Sequence, residues 1–220
     1  MVALKTFQNL TPDKQEDVVR ESLREFALHG YEIASLSNVI ARLGLAKGSF
    51  YRYFESKKAL YLFLLERCTA LRLQFDNDHV GSSAGDLPAL LMEHFAAKIR
   101  FDKEFPLHSA FLYTVLLERN NDELKDIHLE NKETILQVTR QVITGLAGKN
   151  AIRGSIDANV LSFIIAEMQV MILNYVQLKY HIDFRENIRA GKPLYSLPDK
   201  EMLSIAKKFI DIIYNKITLK

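Results

Sequence analysis

The segment GLAKGSFYRYFESKKAL, residues 44–60, combines four aromatic side chains in five positions with one arginine and three lysines, two of them adjacent. An arginine guanidinium donates two parallel hydrogen bonds to the edge of a guanine. Lysine ammonium groups, tyrosine hydroxyls and the N-terminus of a helix suit phosphate oxygens. These residue types are therefore suited to nucleic-acid recognition, provided that one helix holds them on its outer face.

A short helix from about residue 47 to residue 54 meets that condition. At about 100° per residue, Phe50 and Phe54 fall on one face, where they should plug a small core. The opposite face holds small residues and one arginine, edged by two tyrosines: Gly48, Ser49, Arg52, Tyr51 and Tyr53. Small side chains on this outer strip would let the helix approach the floor of a DNA major groove, so the pattern favours DNA binding.

The distribution of charge agrees with a local DNA-binding patch. The whole chain carries a formal net charge of only +2, so it is not a polycation. Residues 37–58, however, hold five basic side chains and one acidic one. Positive charge is thus concentrated around the predicted recognition helix, as a nucleic-acid-binding domain requires. A helical hairpin with aromatic core positions and a solvated charged face is the alternative interpretation.

Apolar residues recur at helical spacing through almost the whole chain, and no run alternates as a β-strand would. Gly30 and Gly44 are placed to end the first two helices, and Ser35 and Ser56 to cap the second and the fourth. The pattern predicts an all-α fold of about nine helices. They span about residues 12–30, 35–43, 47–54, 56–75, 87–102, 107–119, 123–147, 157–182 and 199–217.

The stretch HGYEIASLSNVIARLGLAKGSFYRYFESKKAL, residues 29–60, resembles the DNA-binding module of TetR-family transcriptional regulators. It contains a Gly-Tyr turn, a short helix that ends in glycine, a Gly-Ser-Phe-Tyr-x-Tyr-Phe helix and a Ser-Lys-x-x-Leu start to the next. The resemblance implies an N-terminal helix-turn-helix DNA-binding domain, residues 1–56, and a larger helical ligand-binding and dimerisation domain, residues 57–220. It also implies a homodimeric repressor that a small-molecule inducer releases from a palindromic operator.

The resemblance and the outer strip together indicate which residues contact DNA. They are Ser37, Arg42, Lys47, Gly48, Ser49, Tyr51, Arg52, Tyr53 and Lys57. Within this set the two tyrosines and Lys57 match the positions that contact phosphates. Gly48 is included because it lies on the outer strip, and the others match positions that face the groove. Ala46 departs from the pattern, because a serine or threonine often caps the recognition helix there. Ile40 stands where a small alanine is common.

The C-terminal part predicts a homodimer. Residues 157–182 are apolar on most of the helix circumference, and the last helix carries a strong apolar stripe. A helix that is apolar all round must be covered all round, and a four-helix bundle formed with a second copy provides that cover. Glu167 and several amide side chains interrupt the segment, which disfavours a membrane span. A single internal core without a dimer is the alternative.

A ligand cavity is expected among the fourth to eighth predicted helices. Its candidate lining consists of apolar wall residues and two histidine anchors: Phe95, Ile99, Phe111, Met168, Met171, Tyr175, His94 and His108. This lining suits a mainly apolar inducer, aromatic or acyl. A histidine on an apolar face is more often a core residue with satisfied hydrogen bonds, so that alternative stays open for both histidines.

Other function classes find less support in the sequence. It contains no helical histidine pair, phosphate-binding glycine loop or dinucleotide fingerprint, so we expect no enzyme, metal or cofactor. Cys68 is the single cysteine, which fits a reducing compartment and a cytoplasmic protein. A DNA-binding regulator without a small ligand and an all-α ligand carrier are the rival functions. Repression and activation are both compatible with the sequence.

Overall fold

The computed structural model describes residues 5–81, 87–118, 121–147 and 157–217, and every regular element in these ranges is a helix. The helices are α1 Lys5–Gln8, α2 Pro12–Ile33, α3 Leu36–Arg42, α4 Lys47–Tyr51, α5 Lys57–His79, α6 Leu87–Glu104, α7 Pro106–Leu117, α8 Lys125–Ala147, α9 Ala158–Tyr180, α10 Phe184–Arg189 and α11 Asp199–Ile217. The predicted all-α fold is confirmed. The two helices beyond the predicted nine are the short α1 and α10.

One compact unit comprises Met1–Gln74, Asp102–Asn121 and Phe184–Leu194. Within it α7 and α3 pack against α2, and α10 packs against both α2 and α7. The ring of Tyr61 lies edge-on to Phe26 and Phe111, with centroids 5.3 and 5.2 Å away. These three aromatic side chains are fully buried, so they form the centre of the unit that supports the helix-turn-helix.

The second unit comprises Phe75–Phe101, Asp122–Asp183 and Tyr195–Lys220. Here α8 and α11 pack against α9. Part of its core is a cluster of Leu87, Ile143, Leu161 and Ile165. The packing units therefore divide the chain differently from the functional boundary expected between residues 56 and 57, which stays a prediction.

Two glycines shape the helix-turn-helix. Gly30 has φ +71° and ψ 177°, which bends α2 three residues before its end. Gly44 has φ +63° in the turn between α3 and α4. Positive φ is costly for residues with a Cβ, so both bends depend on glycine.

Three local details refine the predicted elements. Helix α4 ends at Tyr51, not at residue 54, although Phe54 is still buried beyond the end of the helix. The Ser35 side chain makes no capping bond at the start of α3, so that expected cap is wrong. The cap expected from Ser56 is present, because its Oγ accepts the backbone N–H of Ala59 at 3.0 Å.

Candidate nucleic-acid interface

The inner face of the recognition helix α4 is anchored by aromatic side chains. Phe50 and Phe54 are both 0% exposed, as the helical spacing predicted. The ring of Phe54 contacts Phe7 and Phe63, with centroids 5.0 and 5.2 Å away. Deep burial of these rings fixes which side of α4 faces outward.

Helix α1 supports α4 from behind, and sequence reasoning missed it. The ring of Phe7 lies edge-on to Tyr53, with the centroids 6.3 Å apart, and the hydroxyl of Thr6 donates a hydrogen bond to the carbonyl of Arg52. That carbonyl belongs to the C-terminal end of α4, where helical carbonyls lack partners. The signal for this helix in the sequence is a single aromatic residue, Phe7, in the segment before Pro12.

The outer face of α4 presents the residues expected in the groove. Lys47, Gly48 and Arg52 are exposed, and Ser49 is half-buried. A Cβ built on Gly48 meets no atom within 4 Å, so the surface is open at that position. Ala46 makes no side-chain capping bond, so the first backbone N–H groups of α4 are not bound by a cap. This arrangement lets the strip approach a base edge, although its contact with DNA stays a prediction.

The two tyrosines expected to contact phosphates differ in environment. Tyr51 is 40% exposed at the end of α4. Tyr53 is half-buried, and its ring packs edge-on against Phe50 with the centroids 6.3 Å apart. The ring of Tyr53 is therefore better fixed by its neighbours than that of Tyr51.

Ser37 and Arg42 lie on α3, and their surroundings differ sharply. Ser37 is exposed. The guanidinium of Arg42 donates to the carboxylates of Glu21 and Glu25, with N–O distances of 2.9 and 2.8 Å. Arg42 thus ties α3 to α2, and a DNA group would have to compete with two carboxylates for it.

Glu25 holds the start of α3, where the Ser35 side chain makes no capping bond. One carboxylate oxygen accepts the backbone N–H of Ser35 at 3.0 Å and the side-chain amide of Asn38 at 3.1 Å. Burial alone would raise the pKa of Glu25. The donors Ser35, Arg42 and Asn38 together outweigh burial and hold that pKa below its usual value. A charged carboxylate from α2 therefore fixes the start of α3.

Lys57 stands at the first turn of α5 and is held from one side. Its Nζ donates to the carbonyl of Glu32 at 3.0 Å and lies 4.8 Å from the ring centroid of Tyr31. An ammonium group has three donors, so this bond leaves two for a phosphate. The phosphate contact itself stays a prediction.

The candidate lining of the ligand cavity is divided between the two packing units. His108 and Phe111 belong to the first unit, where Phe111 is part of the central aromatic cluster. Burial lowers the pKa of His108, which favours its neutral form. The other candidates belong to the second unit: His94, Phe95, Ile99, Met168, Met171 and Tyr175. Of these, Phe95, Ile99 and Met168 are buried and His94 is half-buried.

Helices α9 and α11 expose apolar side chains. Met171 and Tyr175 are each 43% exposed, and Leu178 is 77% exposed. Over residues 158–180 and 199–214, the exposed large apolar residues are Val160, Phe163, Ile164, Met171, Tyr175, Leu178, Ile212 and Tyr214. Among the described helices, α9 alone is long and apolar enough to cross a membrane, a test that core helices of soluble proteins also pass. Large exposed apolar patches are characteristic of interaction sites.

No three His, Cys, Asp or Glu side chains in the described ranges gather closely enough to hold a metal ion.

Comparison with known sequences finds a family model that matches the helix-turn-helix segment. Residues 18–63, from α2 into α5, match the family model of bacterial regulatory proteins, tetR family. YerO, an uncharacterized HTH-type transcriptional regulator of Bacillus subtilis (strain 168), is 24% identical over 168 residues. The match covers 74% of this chain and 57% of that relative, so the chain spans less than two thirds of the relative's length.

Comparison with solved structures extends the likeness to the whole fold. A TetR family transcriptional regulator from Chloroflexus aurantiacus J-10-fl superposes with a TM-score of 0.79 at 22% identity, over 99% of both chains. A gamma-butyrolactone receptor (ArpA-like protein) superposes with a TM-score of 0.54 at 17% identity, over 91% of this chain and 98% of that one. At these identities the likeness shows the fold alone.

Proposed function

We propose that this chain, a TetR-family DNA-binding transcriptional regulator, is a homodimeric repressor that a small, mainly apolar inducer releases from a palindromic operator. The protein would act in the cytoplasm, where the chromosome lies. We assign it no reaction, because regulators of this family are generally not enzymes.

The outer strip of α4 supports specific DNA binding. Arg52 is exposed there beside Gly48, while Phe50 holds the helix in place from behind. We propose that Arg52 reads a guanine and that Tyr51 and Lys57 contact flanking phosphates. The remaining candidates, Ser37, Arg42, Lys47, Ser49 and Tyr53, would complete the contact surface, with Arg42 acting only if it leaves its carboxylate partners.

The exposed apolar faces of α9 and α11 are the observation that carries the homodimer. Leu178 is 77% exposed and Ile212 is 68% exposed on helices that otherwise build a core. A second copy that supplied the same two helices would cover these residues in a four-helix bundle. Two reading heads related by a two-fold axis require a roughly palindromic operator, with half-site centres about 34–36 Å apart or a multiple of that spacing.

The inducer proposal rests on chemistry and on a fold neighbour. The buried candidates of the second unit, Phe95, Ile99 and Met168, are apolar, so an aromatic or acyl ligand would suit them. The gamma-butyrolactone receptor that shares the fold is named for a small-molecule ligand. A ligand that binds the operator-free state more tightly than the operator-bound state would shift the population away from DNA.

Two experiments test the proposal. In the first, duplexes are selected from a random DNA library with the purified protein, and a shared palindrome is expected. Failure to enrich any sequence would favour an all-α ligand carrier. In the second, aromatic and acyl compounds are screened by thermal shift, because a ligand that binds only the folded state raises the melting temperature. A hit should also weaken operator binding, whereas a hit that leaves operator affinity unchanged would favour a regulator without an inducer.

A further inference from the structure

Helix α2 is broken at Gly30, and the break leaves two backbone groups to satisfy. In a regular helix the N–H of Tyr31 would bond to the carbonyl of Ala27, four residues earlier. Gly30 lies outside helical φ and ψ, which turns the Tyr31 N–H away from that carbonyl. Both groups sit in a buried region, where unpaired backbone groups are costly.

One face of α7 and its cap supplies both missing partners. The hydroxyl of Thr114 donates to the Ala27 carbonyl at 3.1 Å, and the carboxylate of Glu118 accepts the Tyr31 N–H at 2.5 Å. Thr114 and Glu118 are four residues apart and therefore neighbours on the helix surface. The two side chains thus replace one broken helical bond with two bonds from a neighbouring helix.

The fit at the break is close. A Cβ added to Gly30 would lie 2.2 Å from Oε1 of Glu118, and φ at Gly30 is +71°. Only glycine allows both this backbone conformation and this approach of the carboxylate. The second oxygen of Glu118 accepts the hydroxyl of Tyr61 at 3.4 Å, which ties the same carboxylate to α5.

Tyr31, directly after the break in α2, contacts Lys57, the proposed phosphate-binding residue. Its ring lies 4.8 Å below the ammonium of Lys57, and the next carbonyl, that of Glu32, accepts a hydrogen bond from that ammonium. The ring of Tyr31 also packs edge-on against Tyr61, with centroids 5.1 Å apart. The backbone at residues 31 and 32 therefore determines where the Lys57 head group lies.

We propose that Glu118 is a positioning residue for operator binding, which holds the backbone of Tyr31 so that Lys57 is presented to a DNA phosphate. The inference rests on the proposed function, because it takes Lys57 as a phosphate contact. Glu118 itself acts through Tyr31 and touches no DNA.

The negative charge of Glu118 is expected to weaken DNA binding, whereas its positioning of Tyr31 is expected to strengthen it. Burial raises its pKa, while bonds from Tyr31 and Tyr61 and the positive charges of Arg185 and Lys57 counteract that rise. A negative charge close to Lys57 weakens the attraction of that lysine for phosphate. If charge alone mattered, its removal would strengthen DNA binding, so geometry and charge are separable by experiment.

Two conservative variants separate these effects. Glu118→Gln keeps an oxygen within reach of the Tyr31 N–H and removes the charge. Glu118→Asp keeps the charge and is shorter by one methylene, so it no longer reaches that N–H. The DNA-binding constant is measured at several salt concentrations with a palindromic duplex that the wild-type protein has selected. When the logarithm of the binding constant is plotted against the logarithm of the salt concentration, loss of one phosphate contact per subunit lowers the steepness of the slope by about one unit per subunit.

We expect Glu118→Asp to lower the slope by up to about one unit per subunit and Glu118→Gln to leave it unchanged. In a Lys57→Ala background, Glu118→Asp should lower the slope no further, because the contact that it positions is already absent. A wild-type slope for Glu118→Asp, an equal loss for Glu118→Gln, or an undiminished loss in the Lys57→Ala background would overturn the inference. An unchanged slope for Lys57→Ala alone would overturn both the inference and the phosphate role of Lys57.

Discussion

Replacement of Arg42 by alanine should destabilise the folded chain at neutral pH, and the loss should shrink in acid. Arg42 donates at 2.8 Å to Glu25, a carboxylate that is only 2% exposed. The same carboxylate caps the start of α3 through the N–H of Ser35. Without the guanidinium, the buried carboxylate of Glu25 keeps its bond to the Ser35 N–H but loses its cationic partner.

The magnitude follows from the burial of the two partners. Breaking a fully buried ion pair costs about 3–5 kcal/mol, because one charge is left uncompensated. The Arg42 side chain is 35% exposed, so water already screens part of the attraction. We therefore expect Arg42→Ala to reduce the free energy of unfolding by about 1–3 kcal/mol at pH 7.

The pH dependence follows from the pKa of Glu25. In the wild-type protein this pKa is lowered, since the donors Ser35, Arg42 and Asn38 outweigh burial. Its contribution to stability is therefore present above the unfolded pKa and is lost as the pH falls through the folded pKa. Without Arg42, burial has the larger influence on Glu25, so the pKa of Glu25 in the folded variant rises. Protonation of Glu25 in acid therefore costs the variant less stability than it costs the wild-type protein. The difference between the two proteins should thus shrink as the pH falls toward about 4, apart from the part that comes from the pair of Arg42 with Glu21.

Urea unfolding at about pH 7, 5.5 and 4 measures the difference. The matched control is Lys207→Ala, which removes an exposed ion pair with Asp211 at 2.7 Å, shares no partner with Arg42 and should cost no more than about 1 kcal/mol. If Arg42→Ala cost no more than this control at neutral pH, or cost the same at every pH, the capping account of Glu25 would be wrong.

Three further predictions concern separate parts of the chain. Arg52→Ala should cost about 1–3 kcal/mol on the selected duplex and relax base preference at one position, whereas equal losses on all sequences would assign Arg52 to phosphates. Phe7→Ala should lower the free energy of unfolding, measured by urea titration, by about 3–5 kcal/mol, because the ring is buried against Phe54. A loss under about 1 kcal/mol would mean that α1 is dispensable for stability. Burial raises the pKa of the Cys68 thiol to about 12. Cys68 should therefore resist a thiol reagent at about pH 8 until the chain unfolds, and rapid labelling of the native protein would contradict its burial.

Local patterns were sufficient for the fold class and for the inner face of the recognition helix. Phe50 and Phe54 were assigned to the core by spacing alone, and both are fully buried. The cap by Ser56 is equally local, because its partner Ala59 is three residues away. The length of α4 was overestimated, since the helical wheel continued past the point where the chain leaves the helix at Arg52.

Contacts between distant residues lay beyond the sequence pattern. Glu25 holds the start of α3 by accepting the backbone N–H of Ser35, and Glu118 accepts the backbone N–H of Tyr31, 87 residues earlier, at the break in α2. Glutamates at both positions resemble ordinary surface residues, and only tertiary packing brings each to its backbone partner. For Arg42 the sequence indicated an outward guanidinium, because the two carboxylates that hold it come from a different helix.

The central claim is that two copies of this chain bind one palindromic operator. The most direct test is the mass of the free protein and of its complex with the selected duplex, measured by light scattering at micromolar concentration. We expect twice the chain mass for the free protein and two chains per duplex in the complex. Met171→Glu, which places a charge in the exposed apolar face of α9, should abolish the dimer and weaken the complex. A monomeric wild-type protein, or one chain per palindromic duplex, would contradict the account.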